Sequence, residues 1–280
     1  MFTLFNLIMY IFQLFQCRKT RVLKPINHEA KILNIGFPNN NQRWFWDPLR
    51  ESGLHDLIFL GYATVPHALL MTLCERWHPE TSTFHMPVGE MTVTLEDVAC
   101  LMHLPTEGRM LAHPKKMLKH EGANLLVEHF GVSRQEAGRI YNTEYDGYIT
   151  YPKLREIYTT RLSKANQLAD TQDPEELEEL ERVRTYCVKS YLLYLIGCLL
   201  FGDRSNKHIE LVYLTTLADG YARMRNYSWG GMTLAYLYSE LAEACKPGHR
   251  ALGGSVTLLT VRKFLFYFFV NFFFGYISCA

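Results

Sequence analysis

The 280-residue sequence predicts a mainly α-helical protein, built as a single helical domain with one small β-hairpin and apolar extensions at both ends. Three observations lead to this class. Helix start signals recur along the chain, apolar residues recur at helical spacing, and one short stretch alone has strand character. The composition, 48% hydrophobic and 20% charged, is typical of a globular protein rather than a disordered one.

The longest predicted helix begins at Asp173, a residue suited to the N-cap position. Pro174 suits the first helical turn, and the two glutamates that follow face the positive end of the helix dipole. We expect this helix to run to Phe201. Its first half is acidic and amphipathic, whereas residues 191–201 are apolar nearly all round and are expected to be buried.

Other helices have similar boundary signals. Thr94 with Asp97 and Ser133 with Glu136 match capping boxes, and Thr150-Tyr151-Pro152 is a third helix start. Further predicted helices cover 49–60, 68–77, 137–141, 208–217 and 231–245. One apolar face after Thr94 is expected to comprise Leu95, Val98, Ala99 and Met102. The tryptophans are expected to anchor the core: Trp44, Trp46, Trp77 and Trp229.

The predicted hairpin lies between two of these helices. Thr83–Met86 and Glu90–Val93 are short β-prone runs, and Pro87-Val88-Gly89 between them suits a turn. This element is the β component of the predicted fold.

The chain divides into three predicted parts: an apolar start and polar linker over 1–43, the domain over 44–260, and a Phe-rich tail over 261–280. The tail segment 264–280 has no charged residue and follows Arg262-Lys263. Because a membrane helix needs about 20 apolar residues, this segment is of borderline length for a membrane anchor. Basic residues on its N-terminal side would place the domain in the cytosol.

Net charge and cysteine usage exclude some classes of protein. The formal net charge of +1 gives no overall field that favours nucleic acid or membranes. The seven cysteines are odd in number and include no C-x-x-C pair, which argues against both a disulfide framework and a zinc finger. Reduced thiols in the cytosol or nucleus fit this pattern best.

Sequence motifs for catalysis are incomplete. His28-Glu29 begins like a zinc-protease motif, but Ile32 stands where the second histidine is required. His208-Ile209-Glu210 resembles the start of a deaminase motif, but no P-C-x-x-C follows. Gly202-Asp203-Arg204 matches a fragment of metallophosphatase motifs and is better interpreted as a helix stop. We therefore predict a protein that is not an enzyme, with no catalytic residue, metal ligand or cofactor.

Two clusters leave binding alternatives open. Eight of the eleven histidines lie between residues 55 and 129, at spacings of 7 to 18 that suit structural histidines better than metal ligands. The run 115–120 has three lysines, so nucleic-acid contact is an alternative to a solvated loop. The acidic run 175–181 is interpreted as a solvated helix face with pairs such as Glu178 with Arg182. The eight histidines between residues 55 and 129 are His55, His67, His78, His85, His103, His113, His120 and His129.

An ordered series of short segments resembles the plant mobile domain family over about 44–260. The first group comprises Gly53-Leu54, the stretch 86–98, and Leu101 to Pro105. The second comprises 194–201, Asp203, Tyr213-Leu214, Asp219, Ser228-Trp229-Gly230 and 234–238. The resemblance is specific because many segments recur in order, although none is chemically unusual.

This resemblance implies a nuclear, non-enzymatic role in transposon silencing, gene expression and meristem maintenance, in a family shared between plant genes and transposable elements. Members also carry phosphatase and aminotransferase-like labels, which we do not expect to apply here. Protein partners are expected. After Leu258-Leu259 the family would continue with a Gln- and Trp-bearing helix, so we expect a truncated domain with an unrelated end. The alternative is a membrane-tethered protein anchored through 264–280.

Overall fold

The computed structural model describes residues 23–25, 29–60, 67–86, 89–111, 117–140, 147–205, 207–246 and 248–259. Helices α1 to α8 cover Arg43–Glu51, His67–Arg76, Leu95–Met102, Lys119–Phe130, Arg134–Ile140, Tyr151–Gln167, Pro174–Leu195 and Trp229–Ala244. Strands β1 to β7 cover Lys24–Pro25, Trp77–His78, Thr83–Met86, Gly89–Met91, Tyr148–Thr150, His208–Glu210 and Ala251–Leu252. Short 3-10 helices cover Glu29–Asn34, His55–Phe59, Leu211–Leu217, Ala222–Asn226 and Val256–Leu259. The predicted mainly α fold is confirmed.

Helix α7 is the centre of the fold. Its N-cap, Asp173, accepts a hydrogen bond from the Glu175 amide at 3.2 Å, as the sequence predicts. After Leu195 the helix continues as a π-helical turn over Ile196–Leu200, and the stretch 190–201 is buried throughout. Among the described residues, Pro174–Leu200 is long and apolar enough to span a membrane, but 78% of its apolar window is buried inside the protein. It is therefore a core helix.

Helix α6 packs antiparallel along α7. Its N-cap Thr150 accepts a hydrogen bond from the Lys153 amide at 3.4 Å, and a proline occupies the first turn, as predicted. The rings of Tyr158 and Tyr191 lie 5.5 Å apart, and those of Tyr151 and Tyr194 lie 5.8 Å apart. These aromatic pairs fix the two longest helices against each other over several turns.

The other predicted caps are present in full or in part. Thr94 and Asp97 form a complete capping box, with the Thr94 side chain accepting from the Asp97 amide at 3.2 Å. On that helix Val98 and Met102 are buried, but Leu95 is 41% exposed, which corrects its predicted inward position. Ser133 accepts from the Glu136 amide at 3.1 Å.

The predicted hairpin forms and has a third strand. Strands β3 and β4 pair antiparallel, with Phe84 opposite Met91, and β2 pairs with the other edge of β3. Two further pairs were not predicted: β5 with β6, antiparallel, and β1 with β7, parallel. Both join segments that are distant in sequence, and local patterns carry no information about such pairing.

Two helix predictions need correction. The predicted helix over 49–60 is α1, which starts earlier at Arg43 and ends at Glu51, followed by a 3-10 turn. The break arises because Gly53 has a φ of +76° and the Ser52 hydroxyl donates to the Leu49 carbonyl at 2.7 Å. The predicted helix over 208–217 starts as strand β6 because those residues pair with β5, and only its second part is helical, as a 3-10 helix.

Part of the predicted linker belongs to the packed domain. Leu23, Ile32 and Ile35 are at most 5% exposed, and they join the main core. The Tyr158 hydroxyl donates to the Gly36 carbonyl at 3.0 Å, and Arg155 donates to the Asn34 carbonyl at 2.8 Å. The prediction of a linker is therefore wrong for residues 23–25 and 29–42. This segment belongs to the packed domain, because it covers helix α6 and the end of α7.

Three of the four tryptophans are buried, as predicted. Trp46, Trp77 and Trp229 are buried, whereas Trp44 is half-buried beneath the Arg184 guanidinium at 5.4 Å. The indole of Trp229 donates to the Met224 carbonyl at 2.8 Å, which links α8 to the preceding 3-10 helix. The five cysteines that the structure describes form no disulfide with one another, and the other two lie outside the described residues.

Candidate functional site

The histidines do not converge on a site with three or more metal ligands, since no such group of His, Cys, Asp or Glu among the described residues could hold an ion. His78 and His85 come closest to each other, with ring centroids 5.6 Å apart across strands β2 and β3. His55 lies 3.1 Å from the Asp56 carboxylate. His113 is outside the described residues. The structural role of the histidines stays a prediction.

His129 is the histidine with the most unusual surroundings. It lies in α4 with its side chain 2% exposed, and its Nδ1 atom has no hydrogen-bond partner among the described residues. The pKa of His129 is lowered to about 4, mainly by burial and also by the nearby Lys189 charge, while Glu128 opposes the change. The imidazole is therefore neutral at physiological pH, and it is enclosed too completely to exchange protons with a substrate.

The metallophosphatase-like fragment Gly202-Asp203-Arg204 ends the long core helix. The Asp203 carboxylate accepts from the Ser205 amide at 3.2 Å and from the Ser205 hydroxyl. Ser205 Oγ lies 3.3 Å from Nδ1 of His208. The serine thus stands between the acid and the imidazole, whereas a hydrolytic triad needs the imidazole in the middle. This arrangement closes a turn and does not activate the hydroxyl.

Arg204 takes part in a second structural network. Its Nε atom lies 3.0 Å from Glu240 Oε2, and the Gly253 amide donates to the same oxygen at 3.2 Å. The Glu240 side chain is 7% exposed. Burial raises the pKa of Glu240, and the Arg204 charge and the Gly253 hydrogen bond oppose this shift. The network joins the end of α7, helix α8 and the segment that contains β7.

His249 completes this network at the surface. Arg204 Nη1 lies 3.2 Å from His249 Nδ1, and because arginine can only donate, Nδ1 must be the acceptor. The ring proton is therefore on Nε2, which lies 3.6 Å from a Glu243 carboxylate oxygen. Lys246 also bonds to Glu243. The charges in this region neutralise one another and fix three segments together.

A surface cleft of about 650 Å³ lies between α5 and the start of α6. Lys153, one of the two basic residues that line the cleft, lies 2.9 Å from both the Glu136 and the Glu156 carboxylates. Partial burial lowers the pKa of Lys153, but these two hydrogen bonds outweigh it and the pKa is raised. The ammonium is thus bound by the protein itself. The cleft is lined by Ser133, Gln135, Glu136, Arg139, Ile140, Thr150 and Lys153.

The remaining sequence clusters have mixed outcomes. Lys115 and Lys116 lie outside the described residues, so nucleic-acid contact through 115–120 stays a prediction. The predicted membrane anchor over 264–280 also lies outside them, so it stays a prediction. On the acidic face of α7, Arg182 lies 2.8 Å from Glu179 rather than pairing with Glu178 as expected, because the i,i+3 partner is better placed.

Sequence reasoning missed an aromatic surface feature. Phe37, Trp46, His55 and Phe59 form a continuous row of rings, hereafter the aromatic strip, whose outer members are exposed. They come from a loop, helix α1 and a 3-10 helix. The sequence analysis named Trp46 as a core residue and His55 as one of the clustered histidines, but it did not connect them, because spacing along the chain cannot reveal contacts between separate segments.

Curated relatives resemble most of this chain but are much longer. "Protein MAINTENANCE OF MERISTEMS" of Arabidopsis thaliana is 28% identical over 75% of the chain and 40% of that protein. "Protein MAIN-LIKE 2" of the same plant is 31% identical over 70% of the chain and 26% of that protein. "Serine/threonine-protein phosphatase 7 long form homolog", also from Arabidopsis, is 31% identical over 77% of the chain and 15% of that protein.

The family comparison agrees with these relatives. No solved structure matches the chain. The chain spans less than half the length of the curated relatives it matches. The model of the plant mobile domain matches residues 53–267, which is most of the chain. The protein therefore belongs to the plant mobile domain family.

Proposed function

We propose that this chain is a non-enzymatic interaction module that acts in the nucleus, in transposon silencing, gene expression and meristem maintenance. Membership of the plant mobile domain family supports the proposal, as does the relative whose name refers to meristems. Because the chain spans only part of each relative, the proposal concerns the contribution of this domain to a larger protein.

One observation carries the non-enzymatic part of the proposal. The residues that look most like a hydrolase fragment are engaged in holding the fold together, since Asp203 closes the turn after α7 and Arg204 pairs with buried Glu240. A catalytic carboxylate has to face a substrate or a metal ion. Here these groups face the Ser205 amide and hydroxyl, and helix α8.

A phosphatase assay tests this part directly. The purified full chain is incubated with p-nitrophenyl phosphate, with and without Mn²⁺, and compared with the variant Asp203→Asn. We expect hydrolysis at the rate of buffer alone for both proteins. Hydrolysis by the unmodified chain that Asp203→Asn abolishes, while the variant remains folded by circular dichroism, would contradict the proposal.

The cellular site of action needs its own measurement. The full chain and residues 1–260, each fluorescently tagged, are expressed in plant cells. The proposal predicts that both are nuclear. If only the full chain is found on membranes, and detergent rather than high salt releases it, the membrane-tethered alternative replaces the nuclear one.

A further inference from the structure

Two histidines lie side by side on the outer face of the small sheet formed by β2, β3 and β4. His78 is paired in register with Thr83, and His85 lies two residues further along β3, on the same face. The ring centroids of His78 and His85 are 5.6 Å apart, and both residues are exposed. The pairing of the strands therefore brings together two imidazoles that are accessible to solvent.

The strands that carry the two histidines are anchored in the core through their opposite face. Trp77 and Phe84 are buried on that face, with their ring centroids 4.8 Å apart. The Trp77 ring also lies 5.1 Å from the ring of Tyr238 in helix α8. Because these contacts fix the backbone, the two imidazoles are held near each other before a ligand binds, which reduces the entropic cost of binding.

The separation of the two rings suits a shared metal ion. Imidazole nitrogens bind Zn²⁺ at about 2.0 to 2.1 Å. An ion at that distance in the plane of each ring lies about 3 Å from each centroid, so the two centroids can be up to about 6 Å apart. The observed separation of 5.6 Å lies within this limit. Since both side chains are exposed, they can rotate to direct a nitrogen toward the ion.

The surroundings of the pair leave the ring nitrogens available. In the part of the chain that the structure describes, neither His78 nor His85 has a hydrogen bond or an ion pair. Glu90 lies opposite His85 on the same face, where its carboxylate accepts from the Thr83 hydroxyl at 3.2 Å and adds negative charge beside the pair. No group of three described residues could hold an ion, so water would occupy the remaining coordination positions.

We propose that His78 and His85 form an open binding site for a divalent transition metal ion such as Zn²⁺. The side-chain chemistry selects this class of ion, because imidazole suits zinc, copper and nickel whereas Mg²⁺ and Ca²⁺ prefer oxygen ligands. The site goes beyond the proposed function, which requires no metal ion. It also departs from the sequence analysis, which predicted no metal ligand and did not predict that β2 pairs with β3.

Chemical footprinting of individual histidines tests this site in the full chain. The protein is titrated with Zn²⁺ and treated with diethyl pyrocarbonate, and mass spectrometry measures the modification of each histidine. This readout distinguishes the pair from cysteine thiols, which also bind zinc. The variants are His78→Gln and His85→Gln, and the control is His120→Gln, which changes an exposed histidine of α4. Since all three positions are exposed, the variants are expected to fold, and circular dichroism verifies this.

We expect Zn²⁺ to protect His78 and His85 over the same range of zinc concentration, and to leave His120 reactive. Each single variant should raise the zinc concentration that half-protects the remaining histidine by at least about tenfold, because two linked ligands bind more tightly than one. The control variant should leave the protection of the pair unchanged.

Three results would overturn the inference. They are the absence of zinc protection at the pair, equal protection of His120, and protection of either histidine that survives the loss of the other. None of these results alters the phosphatase and localisation tests, so the two proposals can fail separately.

Discussion

At the scale of single residues, His129 is expected to make the fold sensitive to acid. Its pKa is lowered to about 4 in the folded chain, against 6.5 for an ordinary histidine. Below pH 6.5 the unfolded chain therefore binds a proton that the folded chain does not bind. The contribution of His129 to the free energy of unfolding is complete above this pH and is lost as the pH falls toward 4. The loss between pH 7.5 and pH 5 is about 2 kcal/mol by linkage.

Chemical denaturation at these two pH values, compared between the unmodified chain and His129→Leu, measures this effect. The variant should lose about 2 kcal/mol less on acidification. His120→Gln, which changes an exposed histidine of the same helix, should behave like the unmodified chain. An equal loss in all three proteins would show that His129 is not responsible.

Gly197 is a second residue with a specific requirement. A Cβ atom at this position would lie 2.6 Å from two side-chain carbons of Ile209 in strand β6. Gly197→Ala is therefore expected to destabilise the protein by about 1 to 3 kcal/mol, measured as the free energy of unfolding.

Two variants serve as comparisons for Gly197→Ala. One changes a glycine with open space around it, and the other also removes most of the Ile209 side chain. Gly138→Ala in α5, where nothing lies within 4 Å of the new atom, should be neutral or stabilising. Ile209→Ala combined with Gly197→Ala should recover part of the loss that the two substitutions cause separately. Strictly additive effects would contradict the proposed clash.

At the scale of elements, the N-terminal segment 29–35 should be required for full stability. Ile32 is 3% exposed and lies in the main core, so Ile32→Ala is expected to cost about 2 to 4 kcal/mol of unfolding free energy. Phe37→Ala, five residues further on and 50% exposed, is the matched control and should cost much less. Equal small effects would mean that the segment contributes little to the packing of the domain.

Helix α1 depends on a cation at its C-terminal end. Arg225 donates from Nε to the Glu51 carbonyl at 2.9 Å and from Nη2 to the Arg50 carbonyl at 2.6 Å. Such bonds satisfy carbonyls that the helix itself leaves without partners. Arg225→Gln is expected to cost about 1 to 2 kcal/mol in denaturation experiments.

Arg223 provides the matched comparison for Arg225. It lies on the same 3-10 helix and approaches Asp219 only at 3.8 Å, with both side chains more than half exposed. Arg223→Gln should therefore change stability by no more than about 0.5 kcal/mol. A similar cost for both substitutions would indicate a general charge effect instead of capping.

Elements that depend on contacts between neighbouring residues were predictable from the sequence. Elements that depend on contacts between segments far apart in the chain were not. The caps at Thr94, Thr150 and Asp173 involve neighbouring residues, and each forms as predicted. Strand β6 forms because residues 208–210 pair with 148–150, so its helical prediction failed. The burial of His129 and the aromatic strip also depend on contacts between distant segments, which one sequence does not encode in its spacing.

At the scale of the whole molecule, the residues that match a metallophosphatase fragment have structural contacts in the described part of the chain. The Gly-Asp-Arg fragment ends the central helix and locks the C-terminal part of the described domain through Glu240. The chain spans 15 to 40% of its relatives' lengths, which is consistent with the proposal that it is one interaction module of a larger protein.

A chimeric protein tests whether this domain can perform the proposed function in a plant. The matching part of MAINTENANCE OF MERISTEMS is replaced by residues 23–259 of this chain in an Arabidopsis plant that lacks the native protein, and meristem growth is scored. The account predicts rescue by this chimera and by one with Asp203→Asn, and loss of rescue with Leu193→Asp, which places a charge at a fully buried core position. Failure of the unmodified chimera, expressed at the native level and folded, would contradict the account.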